Sequence, residues 1–387
     1  MQPGQTSHHT STRSLRAVAA GRTAPHRTVA AASIVLALVA AACSDGEISA
    51  DTATAIASTT STTAAAATTT EAPTTTAAPT TSTTEITTTT TTVPAPPVYP
   101  LTGVLVSDPF IAGRPALVVK VDNAPAARPQ SGMNSADIVI EEIVNDNLTR
   151  FAFVFQSQDA DPVGPMRSGR LQDVDLFGSF NRPLFAWSGG NRTVTDAIRA
   201  SDLVDIGPSR AAVYFRSSDR KAPHNLYSST GALRSVTPEG SEPPVQQFSY
   251  RSEGEAPQGV QSPGVALALD SIDVLWVWDA AAGLYRREME RSPHDDRSSG
   301  QVTTNNVLVL EMTYLPGISG SPDAQTIGSG LAFVFTAGRY IEATWSRADR
   351  LLPFTLAALD GTIVELTPGR TFIELPRIDK TIPLPPA

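Results

Sequence analysis

Threonine supplies 22 of the 42 residues from 51 to 92, and only Asp51, Glu71 and Glu85 carry charge there. No other feature constrains folding as much. The surrounding residues 44–98 add alanine runs and Pro73, Pro79, Pro94, Pro96 and Pro97. A segment so poor in large apolar side chains cannot offset the entropy lost on folding, so residues 43–99 are expected to form a disordered tether. At roughly 3 Å per residue it could reach beyond ~100 Å, far enough to thread a thick cell wall. Any core must therefore come from residues 101–387, a length that can bury one. That portion holds 25 basic and 33 acidic residues, a net charge of −8. Nucleic acid is excluded as the main partner, because affinity for phosphate backbones rests on an excess of Lys and Arg.

Ahead of the tether, residues 1–28 contain Arg13, Arg16, Arg22 and Arg27 and no acid. Residues 29–42 are apolar or small throughout and end in Ala40-Ala41-Ala42-Cys43. This reads as a positive n-region and an h-region too short for a transmembrane span, which needs about 20 apolar residues. Residues 1–42 are thus expected to be a lipoprotein signal peptide. Cys43, the only cysteine in the chain, would be the lipidated first residue of the mature protein. A single cysteine also leaves no disulfide framework and no thiolate zinc site. Stable anchoring needs more than one acyl chain. The expected location is the extracytoplasmic face of the cell membrane.

Beyond residue 100 the pattern shifts to short elements. Strands are expected at 116–123 (ALVVKVDN), 137–144 (DIVIEEIV), 149–157 (TRFAFVFQS), 183–188 and 211–216, and helices at 171–180 and 193–201. Residues 239–263 are rich in Pro, Gly, Glu, Gln and Ser. Beyond them hairpin signals recur, among them Ala337-Gly338 and Asp360-Gly361. The expected fold class is α+β, with a mixed α/β part at 100–240, a linker at 241–263, and a mainly antiparallel β part at 264–380.

Several segments carry a resemblance. They are Arg114-Pro115 with VVKVDN, ARPQSG at 127–132, ADIVIE at 136–141, TRF at 149–151, GPMRSGR at 164–170, and FRSSDRKAPHN at 215–225, followed by 305–309 and 328–335. Taken in order, over about residues 101–378, they resemble the YerB-like lipoprotein family, a two-part domain of unknown function in bacteria. The resemblance implies an extracytoplasmic lipoprotein and supplies no activity. The Thr-rich tether is longer than the spacers expected of that family.

Four groups of residues are candidates for chemistry. In GPMRSGR, Arg167 and Arg170 would sit one turn apart at a helix start capped by Ser168, a site for phosphate or carboxylate. Pairing with Asp173 and Asp175 is the structural alternative. Asp122 and Asn123 end an apolar strand, where α/β folds place site residues, with Arg128 and Gln130 close by. Turn chemistry also explains them. Glu141 and Glu142 are neighbours on one strand and so face opposite ways, one toward a pocket and one toward solvent, unless Glu141 pairs with Arg150 across a hairpin. Lys221, His224 and Asn225 offer a base or an orienting donor, or a loop in which His224 bonds a carbonyl. Ser218 and Lys221 match S-x-x-K, but no K-T-G follows. His294-Asp295-Asp296 reads as a polar turn. H-E-x-x-H, G-x-S-x-G and Walker A patterns are absent from the sequence, and no metal or cofactor is expected.

These features favour a binding or assembly module for an anionic cell-wall ligand or an envelope partner. Two alternatives stand beside it. One is a cell-envelope enzyme similar to the LytR-CpsA-Psr phosphotransferases, although Met166-Arg167-Ser168 stands where that family has Pro-Arg-Asp. The other is a structural lipoprotein that docks another protein.

Overall fold

The computed structural model describes residues 96–385 except Asp146. Cys43, the leader and almost all of the tether lie outside the described residues. Continuous apolar runs build the central strands: β1 (Leu117–Asp122), β2 (Ile138–Asn145) and β3 (Leu148–Phe155) are buried along nearly their whole length. Such runs are what a sheet covered on both faces requires. β4 (Leu184–Ala186), helix α1 (Arg192–Ala200) and β5 (Val204–Asp205) follow. Asn191 caps α1 by accepting from the Val194 amide at 2.9 Å.

The later strands are β6 (Gly264–Leu269), β7 (Ile272–Asp279), β8 (Leu284–Met289), β9 (Asn306–Leu310), β10 (Gly328–Thr336), β11 (Arg339–Arg347), β12 (Thr355–Ala358), β13 (Thr371–Leu375) and β14 (Thr381–Pro383). The larger sheet runs β12-β11-β10-β9-β13-β2-β3-β1-β4-β5. β9, β13, β2, β1, β4 and β5 all point the same way, while β3 and β10 run against them. A second sheet, with β8, β7, β6 and β14 in that order, covers one face. Its Trp276, Val274 and Tyr285 pack with Phe151, Phe153 and Phe372 of the larger sheet. The opposite face is covered by α1 and the segments around it, where Trp187, Phe177 and Phe185 meet Val118, Ile140 and Val154.

The α+β class agrees with the sequence. The division of the chain differs in space, because β13, from the last part of the chain, lies in parallel register beside β2 from the first, with Ile140 opposite Ile373. One sheet therefore runs through both parts. Residues 241–263 are not a free connection either. Gln247 and Phe248 are buried, Ser249–Tyr250 pairs with Glu365–Leu366, and Val260–Gln261 pairs with β11. Two local expectations also change. The helix expected at 171–180 shrinks to Asp173–Leu176 and a 3-10 turn at Gly178–Phe180. The strand expected at 211–216 is only Phe215–Arg216.

Candidate functional site

The parallel strands β2, β1 and β4 end together, and the polar residues gather at that carboxyl edge. Asp122 and Glu142 are both direct neighbours of Arg150. With Lys120, two residues before Asp122, these side chains share the face that α1 covers. Asn123, Glu141 and Thr149 fall on the other face, toward the second sheet.

Residues 163–170 thread along the end of β1. The Asp122 amide donates to the Pro165 carbonyl, and the Arg167 amide to the Lys120 carbonyl, each at 2.9 Å. On the other side, the Ser188 amide donates to the Arg167 carbonyl and the Gly169 amide to the Gly189 carbonyl. The segment is extended because both its edges are taken by strand-like hydrogen bonds. That corrects the expectation of a helix start: the helix begins at Asp173, and no side chain caps it. Ser168 is not a cap, and its carbonyl accepts from Arg150 Nη1 at 2.5 Å. Gly169 is required where it stands, since a Cβ there would lie 2.7 Å from Trp187 Cε3.

Arg167 and Arg170 part company within this segment. Arg167 Nε donates to Asp122 Oδ2 at 3.0 Å. The same carboxylate oxygen accepts from His224 Nδ1 at 2.7 Å. The shared oxygen holds the Arg167 and His224 side chains next to each other. Asp122 also accepts from the Ala124 amide at 3.1 Å, so it serves the turn as well as the site. Arg170 instead donates to Asn145 Oδ1 at 2.7 Å. It borders a cleft of about 370 Å³ whose wall includes Ser168, Ser188, Gly189, Asn191 and Ser319. The alternative in which both arginines pair with Asp173 and Asp175 does not hold: Arg167 takes Asp122, and Arg170 meets Asp173 only through its backbone amide, at 2.7 Å.

The electrostatics show crowding of cations. Burial and the nearby Arg170 and Arg167 push Arg150 down to about 10. Arg170 is lowered as well, by burial first and partly offset by Glu142 and Asp173. Behind them Lys120 Nζ bridges Glu142 and Asp173, the latter at 2.7 Å, all three sealed from water. Burial drives Glu142 up to about 7 despite Lys120, and Asp173 adds to the rise.

On the other face a second buried network forms. Arg287 bonds Glu141, sits 3.3 Å from Glu374 Oε1, and donates to His294 Nδ1 at 2.6 Å. His294 Nε2 then donates to Gln130 Oε1 at 3.0 Å. Burial and Arg287 hold His294 well below its ordinary value, so it is a neutral imidazole. Glu374, pushed up to about 8 by burial, also accepts from Trp276 Nε1 at 2.9 Å. Glu141 therefore pairs with Arg287 rather than Arg150. Both Glu141 and Glu142 are buried, so neither faces solvent as expected. Asp296 accepts from the Ser298 amide, as in a turn, and across the fold from the Met133 amide.

Asn123 joins this second network, donating to Glu141 and Thr149 and accepting from Arg128 Nε. Arg128 turns outward to Glu290. Asn225 donates to the Ser217 and Arg220 carbonyls and so shapes the loop that presents His224, while Lys221 and Ser218 are exposed. Asp122, Arg150, Arg167 and His224 thus converge, with Arg170 beside them, and the remaining candidates do not face this corner. Lys120, Glu374 and Arg287 were missed. The signal for the first two was a charge inside an otherwise apolar strand; Arg287 had none.

Residues 101–242 match the N-terminal domain, and residues 265–373 the C-terminal domain, of "Protein of unknown function (DUF3048)". The chain is 29% identical over 295 residues to "Putative lipoprotein YerB" of Bacillus subtilis, covering 71% of this chain and 85% of that protein. The crystal structure of the YerB protein from Bacillus subtilis superimposes with a TM-score of 0.66 at 25% identity, over 74% of this chain and 98% of that one.

Proposed function

The chain carries both parts of DUF3048 in order and belongs to that family; from this premise and the geometry above we propose a lipid-anchored envelope protein that binds an anionic ligand at the carboxyl edge of β1 and β2. One observation carries the reading. Arg150 is 7% exposed, yet its guanidinium donates only to the Ser168 carbonyl among the described residues, with no acid in ion-pair contact. Asp122 and Glu142 act on Arg150 only from a distance, so a buried cation lacks a contacting counter-ion, and an incoming anion would supply one. Arg167 and Arg170 flank it on the same edge, where open α/β sheets bind ligands. The pattern around Cys43 and the lipoprotein description of the Bacillus relative support the anchor.

The test is a calorimetric titration of the full-length protein in detergent with inorganic phosphate and pyrophosphate at low and high salt. Binding should weaken with salt, because the chain as a whole is acidic and the attraction is local. Arg150→Met should lose about 10- to 100-fold in affinity, the worth of one charge-assisted hydrogen bond. Absence of any anion-dependent heat or thermal shift in the wild type would refute the reading.

A further inference from the structure

Two donors share one carboxylate, and a third cation stands across from it. Arg167 Nε and His224 Nδ1 share Asp122 Oδ2, so the two side chains lie side by side. Arg150 stands directly across from Asp122 on the neighbouring strand and on the same face. Arg150 keeps its Nε and Nη2 and Arg167 both Nη atoms as donors in reserve among the described residues, and His224 Nε2 becomes a donor when the ring is an imidazolium. Asp122 fixes Arg167 and His224 in orientation, and the Ser168 carbonyl holds Arg150, so little ordering is required when a ligand arrives. The side chains of Arg167 and His224 are about a quarter exposed, which leaves the corner open.

We propose that the Arg150–Arg167–His224 corner takes a terminal phosphomonoester, with His224 as the donor that distinguishes it from a diester or a carboxylate. This rests on the anion-binding reading above and adds the ligand class. A carboxylate offers two oxygens in one plane, and a phosphodiester two free oxygens. A monoester offers three, one for each donor, and carries close to two negative charges near neutral pH. Arg150, Arg167 and a His224 protonated on both nitrogens, set against Asp122, leave a surplus of two positive charges. Behind the corner, Lys120 and Arg170 are matched by Glu142 and Asp173, so that layer adds no net charge when Glu142 is ionised. His224 also stands near charges on its own loop: Arg220 bonds the Ala127 and Pro129 carbonyls, Asp219 pairs with Arg297, Arg216 bonds Asn225, and Lys221 is exposed.

The experiment compares methyl phosphate, dimethyl phosphate and acetate by calorimetric titration of the full-length protein in detergent. Methyl phosphate should bind at least ~10-fold tighter than either of the others. His224→Ala should lose most of that preference while keeping the affinity for dimethyl phosphate. Short-chain phosphatidic acid and phosphatidylglycerol, titrated alongside, separate the sources. A preference for phosphatidic acid over methyl phosphate assigns the group to a lipid headgroup, and the reverse to a soluble ester. Equal affinity for all three small anions, or an unchanged preference in His224→Ala, would overturn the ligand class and leave the anion site standing. Failure of every anion to bind would remove both.

Discussion

Arg287→Met tests whether the two parts of the chain are stitched into one folding unit. Arg287 is fully buried between the sheets. It bonds Glu141 from β2, lies 3.3 Å from Glu374 of β13, and its guanidinium sits 5.1 Å from the Phe372 ring centroid. Methionine keeps much of the apolar contact and removes the only cation in contact with either carboxylate among the described residues. Leaving a buried ion without its partner costs about 3–5 kcal/mol. For a unit of this size each kcal/mol lowers Tm by about 2 °C, so a fall of about 6–10 °C is expected near pH 8. The sign with pH follows from Glu374, whose folded value is raised to about 8. Below that value it takes up a proton and no longer needs Arg287, so the deficit should shrink toward about pH 5. Arg287→Met with Glu374→Gln should recover a large share of the loss at high pH. Urea unfolding followed by tryptophan fluorescence and by far-UV circular dichroism is the assay, and both probes should report one transition. A deficit below about 1 kcal/mol at pH 8, or two separate transitions, would refute the argument.

Gly169→Ala places a methyl against Trp187 Cε3; overpacking of this kind costs about 1–3 kcal/mol and should be seen as a lower Tm and a shifted tryptophan emission. Glu142 has a folded value raised to about 7, so its contribution is fully present below its unfolded value and is lost as pH rises through 7; Glu142→Gln should flatten that part of the stability profile, and an unchanged profile by urea titration would count against it. Cys43→Ala should release the protein from the membrane fraction or leave its precursor uncut, as read by fractionation and immunoblotting; unchanged retention would exclude Cys43 as the anchor.

Local patterns were legible where the cause is local. Strands β1 to β4 announce themselves as apolar runs closed by Asp122-Asn123, by Asn145 and by Gly189-Gly190, because a strand covered on both faces must be apolar along its length. Asp122 was visible as a polar residue closing such a run, Arg167 as part of GPMRSGR, and His224 within the loop at 221–225. Ser168 misled, since a serine between two arginines looks like a cap unless the competing strand-like hydrogen bonds of residues 166–169 are known.

What sequence alone determined, then, is composition-driven: a threonine-rich stretch with little to bury, a short apolar stretch ending at Cys43, and central strands readable as apolar runs. Tertiary structure alone decided the partners. Asp122 meets His224 across 102 residues and Glu141 meets Arg287 across 146, separations over which no periodicity carries information. The placement of β13 beside β2 likewise follows from closing one sheet over a shared core, not from any local signal in Thr371–Leu375. A hydrophobic pattern states which face is buried. Which distant strand and which distant charge bury it is settled only by the energy of the whole assembly, where each buried ion must find a counter-charge or hydrogen bonds.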